Sequence, residues 1–169
     1  MVDDVYKKML GVMKSRGGSR AGMDIPEFYE MVAELFAPEE AEVNNSLPRK
    51  PATAGDIAGE MARDEDQITR ILESMADKGL CATFKKADTR YYKGVPFMPG
   101  IFEYQFMPGK ITDRDKKIAR LIHAYKKAFD TARGETRMTF PTTRVITVDK
   151  TIDAGNTVHT YDQVSTYID

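Results

Sequence analysis

Lys85, Lys86, Arg90 and Lys93 crowd four cations around one polar turn, and a charged ligand is the chemistry they suit. With Arg63 and Arg70 just upstream they form the set that would contact DNA phosphates. The segment that would carry base contacts reads differently. Its first turn holds Asp64, Glu65 and Asp66, and Glu73 and Asp77 continue the acidity. Each approach of such a carboxylate to a phosphate costs on the order of 1 kcal/mol. The same carboxylates favour a helix N-terminus through its dipole, which explains them without any ligand.

Other candidate chemistry is sparse. Arg16-Gly17-Gly18-Ser19-Arg20-Ala21-Gly22 has the first glycine spacing of a phosphate loop, but Met23 and Asp24 stand where lysine and a hydroxyl belong. It reads as a flexible basic link between helices. The two histidines, His123 and His159, have no second ligand at metal-binding spacing. A single cysteine, Cys81, excludes a disulfide framework and any multi-cysteine zinc or iron-sulfur site built from these residues alone. Beside Leu80 it reads as a buried, inert thiol. No serine-histidine-acid or paired-carboxylate arrangement stands out, so no catalytic, cofactor-binding or metal-binding residue is assigned and enzyme activity is not expected.

These residues need a scaffold, and the composition allows one. With 169 residues, 41% of them hydrophobic, the chain can bury a core of ordinary size. Its formal net charge of -1 gives no overall positive field, so contact with nucleic acid or anionic lipid requires a local patch. No apolar run approaches the roughly 20 residues of a membrane-spanning helix. We expect a cytoplasmic protein without membrane insertion.

Apolar spacing marks the elements. Val5, Met9, Val12 and Met13 predict a first helix; Phe28, Met31, Val32, Leu35 and Phe36 predict a second, with Asp24 as cap and Pro26 in its first turn. Pro38 to Val43 predicts one more short turn of helix, and Asn44 to Pro51 a polar connection. Thr53 opens a compact helix through a capping box with Asp56, burying Ile57, Ala58, Met61 and Ala62. Asp64 caps the next helix, whose stripe is Ile68, Ile71, Leu72 and Met75 and whose stop is Gly79. Leu80 to Phe84 and Arg90 to Val95 are β-prone on either side of a turn at Lys85 to Thr89. Two helices followed directly by a hairpin predict a winged helix-turn-helix.

The expected fold class is therefore mainly α with small β, a winged helix-turn-helix flanked by additional helices. Three divisions are expected: residues 1–50 as an N-terminal helical extension, 51–110 as the winged module with an aromatic strap, and 111–169 as a long helix from Thr112-Asp113 to Gly134 plus a strand-turn-helix linker. That linker comprises a strand at Arg144 to Asp149, a turn at Asp153 to Asn156 and a helix from Tyr161 capped by Thr160. The last pattern is still running at Asp169, so a further C-terminal domain is expected. Within the strap, Phe97, Phe102, Tyr104 and Phe106 either close a core or, through Phe102, Phe106 and Tyr125, form a dimer or interdomain surface.

The run from Pro51-Ala52-Thr53-Ala54 through Leu80 and Phe84, the link Gly94-Val95-Pro96-Phe97-Met98-Pro99-Gly100-Ile101-Phe102-Glu103, and the end from Val145 to Ile168 resemble the N-terminal region of ferredoxin-type iron-sulfur proteins. The resemblance implies a winged-helix accessory or regulatory domain of an electron-transfer protein, used for docking or dimerisation. Its partners would be its own C-terminal iron-sulfur domain or a second copy. The 4Fe-4S clusters would lie in that C-terminal domain, entered shortly after a segment like Val158 to Val164, and Cys81 does not match their ligands. The winged-helix pattern also resembles DNA-binding transcriptional regulators of the MarR and ArsR kind, which implies DNA as the alternative partner.

Overall fold

The computed structural model describes residues 4–18, 20–109 and 111–134. The strand expected at Arg144, the turn at Asp153, His159 and the helix expected from Tyr161 lie outside those residues. Among the described residues the chain is mainly helical, with one two-stranded antiparallel sheet. The order is α1 (Asp4–Arg16), α2 (Pro26–Leu35), α3 (Pro38–Ser46), α4 (Ala54–Met61), α5 (Glu65–Asp77), β1 (Ala82–Lys86), β2 (Thr89–Lys93), a single turn α6 (Phe102–Tyr104) and α7 (Asp113–Arg133).

Capping chemistry sets several boundaries. Thr53 Oγ1 accepts from the Asp56 backbone N–H while Asp56 Oδ2 accepts from that of Thr53, and Thr112 and Asp115 repeat the exchange at α7. Asp64 Oδ1 accepts from the Gln67 N–H to start α5. At the other end of α5, Gly79 turns left-handed at φ 68, which lets the Leu80 N–H reach the Met75 carbonyl at 2.8 Å. A side chain at Gly79 would also meet the Tyr104 Cβ at 2.7 Å, so glycine is required twice over.

Elsewhere the elements depart from expectation. Tyr6, which the spacing did not single out, joins Met9 and Met13 on the buried side of α1, where its hydroxyl donates to the Phe36 carbonyl; Val5 packs half-buried against the core and Val12 is half-buried. Asp24 does not cap α2; the N-cap is Ile25, and Asp24 accepts from the Tyr29 hydroxyl instead. Ala62 is exposed, since it closes α4 in the left-handed conformation at φ 52. The short turn expected at Pro38 is a full helix running to Ser46. Its inward face includes the polar Glu40 and Asn44, so apolar spacing could not reveal it.

One hydrophobic cluster gathers residues from α1 through α7, within a single compact unit, Met1–Glu135. Ile68, Leu72 and Met75 of α5 are wholly buried, as are Phe28, Met31 and Val32 of α2 and Tyr125 of α7. Each such aliphatic side chain stabilises the fold by roughly 1.5–3 kcal/mol. α2 lies along α7, α1 against α3, and α5 against α3 and α4.

The hairpin pairs Phe84 with Tyr91 and Thr83 with Tyr92 across a two-residue turn at Ala87-Asp88. Beyond it, Ala52 exchanges two backbone hydrogen bonds with Tyr92, at 2.8 and 3.0 Å. The residue just before α4 thus extends the sheet edge and ties the helix pair to the hairpin.

Candidate functional site

Arginines expected on the surface are turned inward by local partners. Arg63, in the α4–α5 turn, pairs with Glu42 of α3 at 3.0 Å. Arg90 of β2 pairs with Glu73 of α5 at 2.8 Å and lies over the Tyr92 ring. The Tyr92 hydroxyl donates to the same Glu73 oxygen. Burial, followed by that hydrogen bond, pushes the Tyr92 phenol up to about 12. Glu73 therefore joins α5 to the hairpin and does not stand free on the helix face.

Two further polar locks were not legible in the sequence. Glu40, 5% exposed, accepts from Ser74 Oγ, from Lys78 Nζ at 2.7 Å and from the Ala37 N–H, which clamps α3 to α5. Arg16, 7% exposed, donates to Asn44 Oδ1 and to the Asn44 carbonyl at 2.6 Å, with the Leu47 and Val95 carbonyls at 3.4 Å. Burial lowers this guanidinium to about 10. The glycine-rich link after it is also engaged: Arg20 pairs with Asp130 at 2.9 Å, and Tyr125 donates to the Ala21 carbonyl. The expected flexible basic link is thus fastened to α7 at these points.

The remaining expected cations behave differently. Arg70, Lys85 and Lys86 are exposed and Lys93 is half-buried, and none forms an ion pair among the described residues. Arg70 borders a groove between α3 and α5, with a volume of about 530 Å³, alongside Gln67 and Ile71. Asp56, Glu60, Asp64, Glu65 and Asp66 are all exposed on and around the α4–α5 turn. Acidic residues therefore predominate around the α4–α5 turn and basic ones on the hairpin, with Arg70 on α5 and Asp88 in the hairpin turn as exceptions.

Strand alternation sorts the hairpin further. Tyr92 and Arg90 face α5, with Thr83 and Lys85 opposite them in register. Ala82, Phe84 and Lys86 share the other face with Thr89, Tyr91 and Lys93. There the Phe84 and Tyr91 rings stack at 5.7 Å between centroids, and Phe84 is 45% exposed. This aromatic pair becomes legible once the turn is narrowed to Ala87-Asp88, because that register sets residue 84 opposite 91.

Of the three aromatic residues expected at an interface, Phe102 and Tyr125 are buried in the chain's own core, where each packs against Phe97. They close the core and offer no surface to a partner. Phe106 is 40% exposed, near the more exposed Met107 and Ile111 in sequence.

Cys81 is buried, and burial pushes its thiol up to about 12, with the charge of Glu73 adding to the effect. No group of three or more His, Cys, Asp or Glu able to hold a metal occurs among the described residues, and His123 is exposed on α7. No helix among them is long and apolar enough to cross a membrane. No family model matches the sequence, and no curated protein matches it.

Proposed function

We propose that residues 52–95 are a winged helix-turn-helix that works through protein contacts, as the accessory or regulatory domain of a ferredoxin-type iron-sulfur electron-transfer protein. The α4, α5, hairpin order supports the winged-helix half, together with the Ala52 bridge that makes the residue before α4 part of the sheet. The carrying observation for protein contact is electrostatic. The exposed start of α5 is acidic, and Arg63, the cation just before it in the α4–α5 turn, is engaged by Glu42, which leaves Arg70 as the one unpaired arginine among the described residues of α5. A helix so charged approaches a phosphate groove at a cost that the hairpin lysines must offset.

The iron-sulfur half rests on the sequence resemblance. By that resemblance the clusters belong to a C-terminal domain and Cys81 is not matched to a ligand, so no step of electron transfer is derived for the residues described here. The partners are then the protein's own cluster domain or a second copy. The DNA-binding regulator of the MarR or ArsR kind remains the second reading, and the unpaired Arg70, Lys85, Lys86 and Lys93 favour it.

The test is to express the complete gene product anaerobically and measure iron and acid-labile sulfide. Equal amounts of the two, bound to further cysteines in the same reading frame, support the iron-sulfur reading. A complete product with no additional cysteines and no iron contradicts it.

A further inference from the structure

Two surfaces of predominantly opposite charge lie on one module: the hairpin, where exposed lysines outnumber Asp88, and the region of the α4–α5 turn, where exposed carboxylates outnumber Arg70. The outer hairpin face presents the stacked Phe84–Tyr91 pair between Lys86 and Lys93. The α4–α5 turn presents Glu60 and Asp66, and Arg63, the cation between them in sequence, is held by Glu42. Neither lysine pair nor carboxylate pair forms an ion pair among the described residues. A chain with net charge -1 does not repel its own copies strongly, so segregated charge of this kind favours self-association over dispersal.

We infer that the outer hairpin face docks on the α4–α5 turn of a second copy, reciprocally about a two-fold axis. Such an interface is isologous: each hairpin meets the partner's turn and each turn meets the partner's hairpin, so both surfaces are satisfied in one closed contact. Phe84 and Tyr91 supply the apolar anchor, and Lys86 and Lys93 with Glu60 and Asp66 supply a charged rim that fixes register. Phe84 is suited to the role because its ring is held by Tyr91 while nearly half of it stays in water. This inference rests on the protein-contact reading above and names the partner as a second copy.

The experiment is sedimentation equilibrium of the full chain and of two double variants, Lys86→Glu with Lys93→Glu, and Glu60→Lys with Asp66→Lys. All four positions lie outside the buried core and the caps, and circular dichroism melts check that both variants fold. The wild-type chain is expected to dimerise, and each variant alone to associate at least about tenfold more weakly. An equimolar mixture of the two variants should regain dimers, because reversed hairpins then face reversed turns. A wild-type chain that stays monomeric overturns the inference. A dimer indifferent to both reversals overturns the surface while leaving the protein-contact reading standing. If the hairpin reversal abolishes binding to a DNA duplex or a single-stranded oligonucleotide by a monomeric chain, both the inference and the protein-contact reading fail.

Discussion

Four arginines and the three hairpin lysines are put to different uses, although Lys78, bound by Glu40, and Arg70, without an ion pair, run the other way. Arg16, Arg20, Arg63 and Arg90 are each held by partners within the chain, whereas the hairpin's Lys85, Lys86 and Lys93 have no ion pair among the described residues. The planar guanidinium offers several donors in a fixed fork and loses little hydration when buried, so it suits positions ringed by carbonyls and carboxylates; an ammonium keeps its water. Residues of like charge in the sequence thus serve opposite purposes. The inner set joins α1, α3, α5 and the hairpin, and the outer set forms no ion pair among the described residues.

Arg16→Ala should be the most damaging test of that division. It removes the donor to Asn44 and strands buried carbonyls, so a loss of about 4 kcal/mol in urea melts is expected. A loss under about 1 kcal/mol would show that the inner set is not structural. Glu40→Ala ranks next, at about 2 kcal/mol, because Ser74 and the Ala37 N–H lose an acceptor and Lys78 loses its partner. Glu40→Gln, which keeps a neutral acceptor, should cost less in the same melts.

The Tyr92–Glu73 lock predicts a pH response. The folded phenol titrates at about 12 and the Cys81 thiol likewise, both above their ordinary values of 10.0 and 9.0. Between those values the folded state holds more protons than the unfolded one. Their contribution is therefore fully present below about pH 9 and is lost as pH rises toward 12. Arg16, lowered to about 10, acts in the opposite sense in the upper part of that window. Tyr92→Phe should flatten the decline of melting temperature with rising pH, and an unchanged slope would remove Tyr92 from the account. The smallest effect is expected at the outer set: Lys86→Ala should shift stability by no more than about 0.5 kcal/mol in urea melts, in either direction. A larger loss would place this lysine with the inner arginines.

Legibility in the sequence followed the physics of each signal. Thr53 with Asp56, Asp64, Gly79 and Thr112 were readable because capping depends on a few adjacent residues. The α5 stripe was readable because all four of its inward positions are apolar. The start of α3 at Pro38 was readable but its full length was not, since Glu40 and Asn44 occupy inward positions that a hydrophobic pattern scores as solvent. Arg16 looked like part of a mobile linker because its acceptors, from Asn44 to Val95, are distant in sequence and mostly backbone. Phe102 and Tyr125 show a different ambiguity: an aromatic run marks either a core or an interface, and the packing against Phe97 places these two in the core. The bridge from Ala52 to Tyr92 leaves no trace in residue type, because both of its hydrogen bonds use backbone atoms.

Titrating the full chain with duplex DNA at about 50 mM salt, and again as salt rises, tests the central claim most directly. With the start of α5 acidic and Arg63 and Arg90 engaged by Glu42 and Glu73, no specific duplex binding is expected at any salt concentration. Tight binding that falls steeply with salt, with a slope made shallower by Lys85→Ala and Arg90→Ala, would contradict the account and make this a DNA-reading protein.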